Sequence, residues 1–426
     1  MKLIRITALI ISTLAILSCQ SKQSNDPHQD IVNATNTIYD SLVKIRRDIH
    51  KFPELSLQEE RTSKLVATYL ERLGLEVITD VGGKGVVGIL KGGKQGRNIA
   101  WRADMDAIRS NDPDPVSFRS KHEGVRHGCG HDVHTTIALG IANVLSQQKE
   151  HLKGTVYFIF QPAEETATGA KAMIDDGLFD TIKPDEIYGL HIGPEATGVI
   201  NYKSNELFAY QRSYKVKFKS NPDTKELEQF MNSVLNSFNR NIEFNGSPWD
   251  IINQIGDPTV GLGSETTIFK DYFILQGSRL EKGKDATAYS ASILETNRDL
   301  IDSIPNTIKA QILNSKFKDD FITIESSGAD LTPLNDPALT VRAADLLSDI
   351  YGENKVKPLY GQIPFFGEDF IYYQHKVPGV FFLLGASNSE EGILSMPHTP
   401  NFVVDETVIK HGVESFASLI LERINN

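Results

Sequence analysis

The spacing of apolar residues predicts helices where the globular part of the chain begins. Apolar positions recur at helical intervals through residues 38–49, and Pro53 should end that helix. A second helix is expected to begin at a capping box, residues 56–59, because Ser and Glu have the spacing that pairs with helix-start N–H groups. Gly74 should end it, since glycine readily adopts the left-handed conformation that follows a helix.

Short apolar runs then alternate with helical stretches. Several runs are continuous rather than alternating, as expected of strands that are covered on both faces. This order of elements predicts an α/β fold with a mostly parallel sheet. The runs are residues 86–90, 99–101, 156–160, 187–190 and 380–384.

The middle of the chain shows a different pattern. A half-exposed strand near Tyr214 precedes an amphipathic helix, two further strand-like runs and a second amphipathic helix. This order predicts a small α+β domain, residues 207–318, inserted into a larger domain. The larger, catalytic domain would then consist of residues 36–206 and 319–426.

The N-terminal residues are typical of a targeting segment. Residues 1–18 resemble a secretory signal, and their apolar run, residues 6–17, is shorter than the ~20 residues of a spanning helix. Residues 16–19 resemble a bacterial lipoprotein cleavage box, which would make Cys19 the lipidated first residue of an exported, membrane-anchored protein. Residues 19–35 would be a polar linker. An ordinary signal peptide or a retained anchor is the alternative.

Composition narrows the possible partners. A chain of 426 residues, 40% of them hydrophobic, can form two domains. The net charge is −11 and no basic stripe occurs, which argues against a nucleic-acid partner. There are two cysteines, so a lipidated Cys19 would leave Cys129 without a disulfide partner. Cys129 is then either a buried apolar residue or a metal ligand.

Two short segments combine side chains that suit metal chemistry. Cys129 and His131 lie two residues apart among glycines, and a thiolate with an imidazole suits zinc-like ions. Glu164 and Glu165 follow a buried strand, at the edge where α/β sheets place active sites, although adjacent glutamates are usually a solvated pair. One carboxylate could hold a metal while the other takes a proton from water.

Two further histidines follow the same pattern. His191 ends an apolar strand, and His398 lies in a loop between two prolines. A single histidine at a strand end is more often structural than functional. Four groups of ligand-type residues at strand ends or in Gly/Pro-rich loops nevertheless favour one common site.

Taken together, these motifs resemble the M20 metallopeptidase family, in particular its amidohydrolase branch of N-acyl-amino-acid, hippurate and auxin-conjugate hydrolases. The resemblance implies a three-layer α/β sandwich of the zinc-exopeptidase type with an inserted ferredoxin-like domain, which serves as a lid and for dimerisation. The matching stretches are residues 46–50 with 53–56, 102–107, 127–134, 161–170, 189–191, 367–370 and 398–400 with 405–406.

The resemblance also implies roles for individual residues. Two divalent ions (Zn, Mn, Co or Ni) would support an amidohydrolase or metallocarboxypeptidase-like reaction on a small N-acyl amino acid or peptide. Glu164 would be the general base for the attacking water. Asp104 would orient a ligand or form only a structural salt bridge, and His134 is expected on the helix surface. The implied ligands are Cys129, which would bridge the ions, and His131, Glu165, His191 and His398.

The inserted domain departs from the family pattern. Residues 217–222 replace a Gly-Gly-His motif and contain no histidine, and residues 266–269 replace an Asn-x-x-Pro turn. Arg109 and Arg126 stand where the family has apolar residues. They either bind an anionic substrate group or form ordinary surface salt bridges.

Two hypotheses about function therefore remain. The chain is a hydrolase with an intact metal centre, or a lipid-anchored protein that binds metal and ligand with little turnover because the lid motif is lost. A homodimer formed through the inserted domain is a further expectation from the family.

Overall fold

The computed structural model describes residues 26–219, 222–242 and 247–426. The proposed signal segment, the lipidation site Cys19 and the first part of the polar linker lie outside these residues. Among the helices in the described ranges, none combines the length and the apolar character that a membrane span requires.

The described residues form eleven α-helices and sixteen β-strands. The helices are α1 (Pro27–Lys51), α2 (Glu60–Arg72), α3 (His131–Ser146), α4 (Gly169–Asp175), α5 (Leu178–Thr181), α6 (Thr224–Asn236), α7 (Pro248–Ile255), α8 (Arg298–Leu313), α9 (Pro337–Tyr351), α10 (Ile371–Gln374) and α11 (Thr407–Asn425). The strands are β1 (Glu76–Val81), β2 (Gly85–Lys91), β3 (Lys94–Asp104), β4 (Ile108–Arg109), β5 (Val125–Arg126), β6 (Lys153–Gln161), β7 (Glu186–Ala196), β8 (Ile200–Tyr202), β9 (Asn205–Glu206), β10 (Tyr210–Lys219), β11 (Phe273–Lys282), β12 (Ala286–Glu295), β13 (Phe321–Ser327), β14 (Leu334–Asn335), β15 (Val356–Pro358) and β16 (Gly379–Ser387).

An eight-stranded sheet with the order β1-β2-β6-β3-β7-β16-β8-β15 forms the centre of the molecule. Its four central strands, β6, β3, β7 and β16, are parallel to one another. The joins β1–β2, β2–β6 and β16–β8 are antiparallel. The sheet is therefore mixed, and the predicted parallel arrangement is confirmed for its centre, where the strand ends can form a site.

Helices cover both faces of this sheet. Successive strand residues point to opposite sides, so the continuous apolar strands present buried side chains to both layers of helices. Trp101, Phe158 and Phe160 face a core that includes side chains from α1, α3 and α11. Their neighbours Ala100 and Ile159 face a second core, to which α4, α5 and α10 contribute. This arrangement is the expected three-layer α/β sandwich.

A second, wholly antiparallel sheet with the order β11-β12-β10-β13 forms the inserted domain. Helices α6 and α8 pack on one face of it, and Tyr214, Val216 and Phe218 of β10 lie in their shared core. Strand β13 lies beyond the predicted domain end at residue 318. Phe269, before β11, packs into a core of the catalytic domain, so the two domains share part of their packing.

The first helix begins earlier than the sequence pattern predicts. The predicted linker, residues 19–35, is helical from Pro27, because Asp26 caps the helix by accepting the N–H of His28 at 3.0 Å. Ile31 is fully buried in the core, so this turn belongs to the catalytic domain. The predicted end of α2 is confirmed, because Gly74 follows it with φ +79°.

The start of α2 also differs from the prediction, because Ser56 and Glu59 do not cap it. The Ser56 hydroxyl donates to Asp106 at 2.6 Å, and the Glu59 carboxylate accepts the N–H of Ala163 at 2.8 Å. The Glu54 carboxylate caps the helix instead, by accepting two backbone N–H groups of its first turn at 2.9 and 2.8 Å. Tertiary partners have displaced a local capping interaction.

Candidate metal centre and active site

The predicted ligands converge at the carboxyl edge of the parallel strands. Glu164 and Glu165 follow β6, and His191 lies in β7, which is separated from β6 in the sheet by β3 alone. His131 is the first residue of α3, which Gly130 precedes with a left-handed φ of +102°. Since a side chain at this position would be strained, glycine allows the chain to turn sharply into the helix.

Distances between ligand atoms are short enough for a shared site. The Sγ atom of Cys129 lies 3.2 Å from Nε2 of His191, and Nε2 of His398 lies 3.2 Å from Oε1 of Glu165. Nε2 of His131 lies 3.8 Å from the same Glu165 oxygen. The structure thus brings together all five ligands that the sequence predicted, and Glu164 lies beside them.

These residues form two overlapping groups of metal-ligand type that share Cys129. One group consists of Cys129, His131 and His191, and the other of Cys129, Glu165 and His398. Within each group the ligand atoms lie within 4.8 Å of one another. Thiolate, imidazole and carboxylate are the ligands that zinc-like ions prefer.

Hydrogen bonds leave the ligating nitrogens free. Nδ1 of His131 donates to the carbonyl oxygen of Asp106 at 2.9 Å, and Nδ1 of His191 donates to the carbonyl oxygen of Ile192 at 2.7 Å. In each neutral ring the Nε2 lone pair is therefore available, and Nε2 of His131 is buried without a hydrogen-bond partner. A divalent ion is the partner that the buried Nε2 of His131 fits.

Asp106 connects the ligands to the candidate base, a role that the sequence did not predict. Its two carboxylate oxygens accept the backbone N–H groups of Glu164 and Glu165 at 3.1 and 3.0 Å. The same carboxylate lies 3.2 Å from Nδ1 of His131. Asp106 is fully buried, so these contacts fix the loop after β6 against the start of α3. The only signal in the sequence was a second aspartate just past a buried strand.

Asp104 and His134 occupy places that the sequence left open or assigned wrongly. His134 is not on the helix surface, because only 1% of it is exposed and Nδ1 donates to Asp104 at 2.7 Å. Its Nε2 accepts the N–H of Ile192 at 2.9 Å. Asp104 also accepts from Arg102 at 2.7 Å, so it makes both a salt bridge and a contact with an orienting histidine.

A buried arginine holds the carboxylates behind Glu164. The guanidinium of Arg102 is fully buried and donates to four side chains. Burial raises the pKa of Glu368 to about 8 and that of Asp369 to about 6, although the charge of Arg102 opposes both shifts. Burial and then the charge of Glu368 raise the pKa of Glu164 well above its usual range. The acceptors are Gln161 at 2.8 Å, Asp104 at 2.7 Å, Glu368 at 2.9 Å and Asp369 at 2.9 Å.

Asp132, which follows His131, fixes the start of α3 to α1. Its Oδ2 atom lies 2.7 Å from Nε of Arg46 and 2.9 Å from Nδ1 of His50, and all three side chains are buried. Burial opposes the ionised form of Asp132, but the charge of Arg46 lowers its pKa strongly. Arg46 and His50 therefore support the metal cluster from outside.

The two arginines near the cluster have different surroundings. Arg126 is 3% exposed and donates to Ser110 at 3.1 Å, Pro113 O at 3.2 Å and Asp112 at 3.3 Å. Its Nη2 also donates to the carbonyl oxygen of Thr399 at 2.7 Å. This last bond fixes the loop in which the neighbouring residue 398 adopts a left-handed φ of +58°.

The guanidinium of Arg126 thus donates to acceptors of the protein itself, which favours a structural role over the binding of an anionic substrate group. Arg109 is exposed and has no side-chain hydrogen bond or ion pair within the described residues. Binding of an anionic substrate group by Arg109 stays a prediction, whereas Arg126 supports the loop that carries His398.

The fold and this cluster define a class of protein. A cluster of thiolate, imidazole and carboxylate side chains at the edge of an α/β sandwich, with a partly buried glutamate beside it, is typical of metal-dependent hydrolases. Residues 100–422 match the model of peptidase family M20/M25/M40. The chain belongs to this family and is a metal-dependent peptidase or amidohydrolase.

Curated relatives are similar over nearly their whole length. Thermostable carboxypeptidase 2 of Saccharolobus solfataricus is 30% identical over 410 residues, which cover 93% of this chain and 99% of the relative. IAA-amino acid hydrolase ILR1-like 4 of Arabidopsis thaliana is 31% identical over 95% of this chain and 91% of its own. N-acetylcysteine deacetylase of Bacillus subtilis is 31% identical over 92% of this chain and 100% of its own.

Solved structures share the architecture. The Bacillus subtilis YXEP protein, described as a dinuclear metal binding peptidase from the M20 family, superposes with a TM-score of 0.74. It is 25% identical, and the match covers 91% of this chain and 99% of that one. A putative aminohydrolase from methicillin-resistant Staphylococcus aureus superposes with a TM-score of 0.75 at 24% identity, covering 93% and 100% of the two chains. The catalytic domain with a small inserted domain is thus the fold of this family.

Proposed function

We propose that the chain hydrolyses the amide bond of N-acyl amino acids or small peptides with the help of two divalent ions. The observation that carries this proposal is the pair of ligand groups sharing Cys129, with the partly buried Glu164 beside them. One group alone would suit a structural ion. A second group, with a further carboxylate close by, suits catalysis.

The ion-holding residues divide between the two groups. His131 and His191 would hold one ion, Glu165 and His398 the other, and Cys129 would contact both. When bound, divalent ions polarise a carbonyl group and make water more acidic. The physiological ion is drawn from zinc, manganese, cobalt and nickel, because the mixed N, S and O donors suit these ions.

Glu164 is the proposed general base and acid. Its Oε2 atom lies 3.7 Å from Nε2 of His131, so the carboxylate faces the ligand cluster without belonging to either proposed ion set. Its backbone N–H is held by Asp106, which fixes the loop. Burial raises its pKa. In the proposed role the carboxylate would take a proton from water and return it to the leaving amine.

The substrate class follows from the relatives. Their names describe carboxypeptidases, an IAA-amino acid hydrolase and deacetylases of acetylated amino acids. The bond that these substrates share is an amide next to an amino acid. We therefore infer a small N-acyl amino acid or peptide, and a liberated amino acid as one product.

Paired substitutions of the adjacent glutamates test the proposal. Glu164→Gln should abolish hydrolysis of an N-acetyl amino acid panel while keeping bound metal, and Glu165→Gln should weaken metal binding. Metal content by elemental analysis and product release by chromatography measure the two effects. Loss of metal only in Glu164→Gln would reverse the two roles. A wild-type chain that binds metal and substrates but cleaves none of the panel would support the binding-protein alternative.

Export and lipid anchoring at Cys19 are a separate proposal, carried by the apolar segment and the lipobox-like residues of the sequence. Cys19→Ala should release the protein from membranes without changing its specific activity, since multiple acyl chains are needed for firm attachment. A mature N-terminus beyond residue 19 in a soluble fraction would refute it. Dimerisation through the inserted domain stays a prediction, to be measured as mass in solution by light scattering.

A further inference from the structure

His134 has both ring nitrogens committed to partners inside the protein. It lies one turn after His131 on α3 and is 1% exposed. Nδ1 lies 2.7 Å from Oδ1 of Asp104, and the backbone nitrogen of Ile192 lies 2.9 Å from Nε2. The ring thus connects the end of β3 with the middle of β7 through the first turn of a helix.

These contacts fix the tautomer of His134. The backbone nitrogen of Ile192 can only donate, so Nε2 must accept and carries no proton. The proton of the neutral ring is then on Nδ1, where it is donated to Asp104, whose other oxygen accepts from Arg102 at 2.7 Å. Asp104, His131 and His134 resemble a metal-binding group by distance alone. His134 has no lone pair left for an ion, so it is not a ligand.

The ring of His134 packs between two proposed ligands. Its centroid lies 4.5 Å from that of His191 at an interplanar angle of 70°, and 5.4 Å from that of His131 at 35°. Ile192 is held at both backbone groups, since His134 accepts its N–H and His191 donates to its carbonyl oxygen. A shift of His134 would therefore move the strand segment that orients His191.

We propose that His134 is a positioning residue that sets the placement of His191 on β7 relative to His131 on α3. It thereby determines the affinity of the ion site that contains these two histidines. The proposal rests on the proposed function, because it requires an ion in the Cys129, His131 and His191 group. The bond from Ile192 to Nε2 is the contact that fixes the ring against β7, and the bond to Asp104 places the proton of the neutral ring on Nδ1.

Two substitutions separate these bonds. His134→Asn places an amide near the position of Nδ1, so it can still donate to Asp104 but is too short to accept from Ile192. His134→Gln places an amide oxygen near the position of Nε2, so it can still accept from Ile192. Thr136→Val is the matched control, because this buried hydroxyl on the same helix bonds only to a backbone oxygen of its own helix, at 2.7 Å.

Metal binding is the readout. Titration calorimetry with Co²⁺ gives the affinity of each ion, and the visible absorption of bound Co²⁺ reports the ligand geometry. We expect His134→Asn to lower the affinity for one Co²⁺ ion about tenfold to a hundredfold and to change the Co²⁺ absorption spectrum. The other ion should bind as tightly as in the wild type. His134→Gln should keep the affinity within about threefold of wild type. Thr136→Val should lower Tm without changing affinity or spectrum.

A double substitution tests whether His134 acts through His191. The His134→Asn/His191→Ala variant should bind no more weakly than His191→Ala alone, because the positioned ligand is already gone. Fully additive losses would overturn the proposal, as would a His134→Asn variant with wild-type affinities and spectrum. If His134→Asn does not fold, the proposal would also be overturned by a His134→Gln variant that folds but binds Co²⁺ about tenfold more weakly than the wild type. Failure of the proposed function would give a different result from failure of the positioning role, because the wild type itself would then bind no pair of ions.

Discussion

Nδ1 of His131 lies 2.9 Å from the carbonyl oxygen of Asp106 and 3.2 Å from its carboxylate. This double contact fixes the imidazole on one side and turns Nε2 toward the ligand cluster. Because the same carboxylate accepts the N–H groups of Glu164 and Glu165, one buried residue sets the distance between a ligand and the base. Supporting groups of this kind commonly matter nearly as much as the ligands.

Asp106→Asn should lower kcat and metal affinity about tenfold to a hundredfold. The amide keeps one accepting oxygen, but its NH2 group faces a backbone N–H of Glu164 or Glu165 and repels that segment. Steady-state kinetics and metal titration measure the effect. Ser56→Ala is the control, because it removes only the hydroxyl that donates to Asp106 at 2.6 Å, and its effect should be much smaller. Equal effects of the two variants would contradict this interpretation.

Arg126→Ala should lower kcat/KM equally for a substrate with a free carboxylate and for its amidated analogue. Its guanidinium supports the loop of His398 through Thr399 and is saturated by protein acceptors. Arg109→Ala, on the exposed neighbouring position of the same short hairpin, should leave both rates unchanged. Measurement of kcat/KM for both variants on the free-carboxylate substrate and its amidated analogue tests this prediction. A loss confined to the acid would restore the role in anion binding.

Arg102→Met should destabilise the fold by about 3–5 kcal/mol at neutral pH, because it leaves buried carboxylates without their counter-charge. Arg102→Lys should lose less stability, since it keeps the charge. It should still lose some, because an ammonium cannot reach the four acceptors as the planar guanidinium does. Urea unfolding measures the free energy of unfolding. Near-wild-type stability of Arg102→Met would show that protonation of Glu368 and Asp369 is enough to compensate.

Glu59 should make stability depend on pH between about 4.5 and 7. Burial raises its pKa from 4.5 to about 7, so the folded chain keeps a proton that the unfolded chain loses. The stability that the protonated group contributes is complete below 4.5 and declines until pH passes about 7. Glu59→Gln should therefore gain up to ~3 kcal/mol relative to wild type between pH 4.5 and 8.

Urea unfolding of both proteins across this pH range measures that difference. The amide remains able to accept the N–H of Ala163, as the carboxylate does at 2.8 Å, so the contact itself is retained. Parallel pH profiles for Glu59→Gln and wild type would mean that the carboxylate is ionised in the folded protein.

Local signals in the sequence predicted the architecture and the groups of candidate ligands. Continuous apolar runs predicted the buried strands, and ligand-type residues at strand ends and in Gly/Pro-rich loops predicted one common site. The family resemblance then implied the set Cys129, His131, Glu165, His191 and His398. These inferences worked because strand burial depends on side-chain period, and metal ligation depends on a few residue types. The family resemblance also implied Glu164 as the general base, and this role stays a prediction.

Tertiary structure decided how the ligands are supported. Asp106, His134 and Arg126 each act through partners more than twenty residues away, and no local pattern records such contacts. His134 was expected on the helix surface, yet it is buried and bonds to β7. The sequence by itself determined which atoms can bind metal. Only folding determined which polar groups orient them, because a buried donor or acceptor must find its partner wherever the packed chain places one.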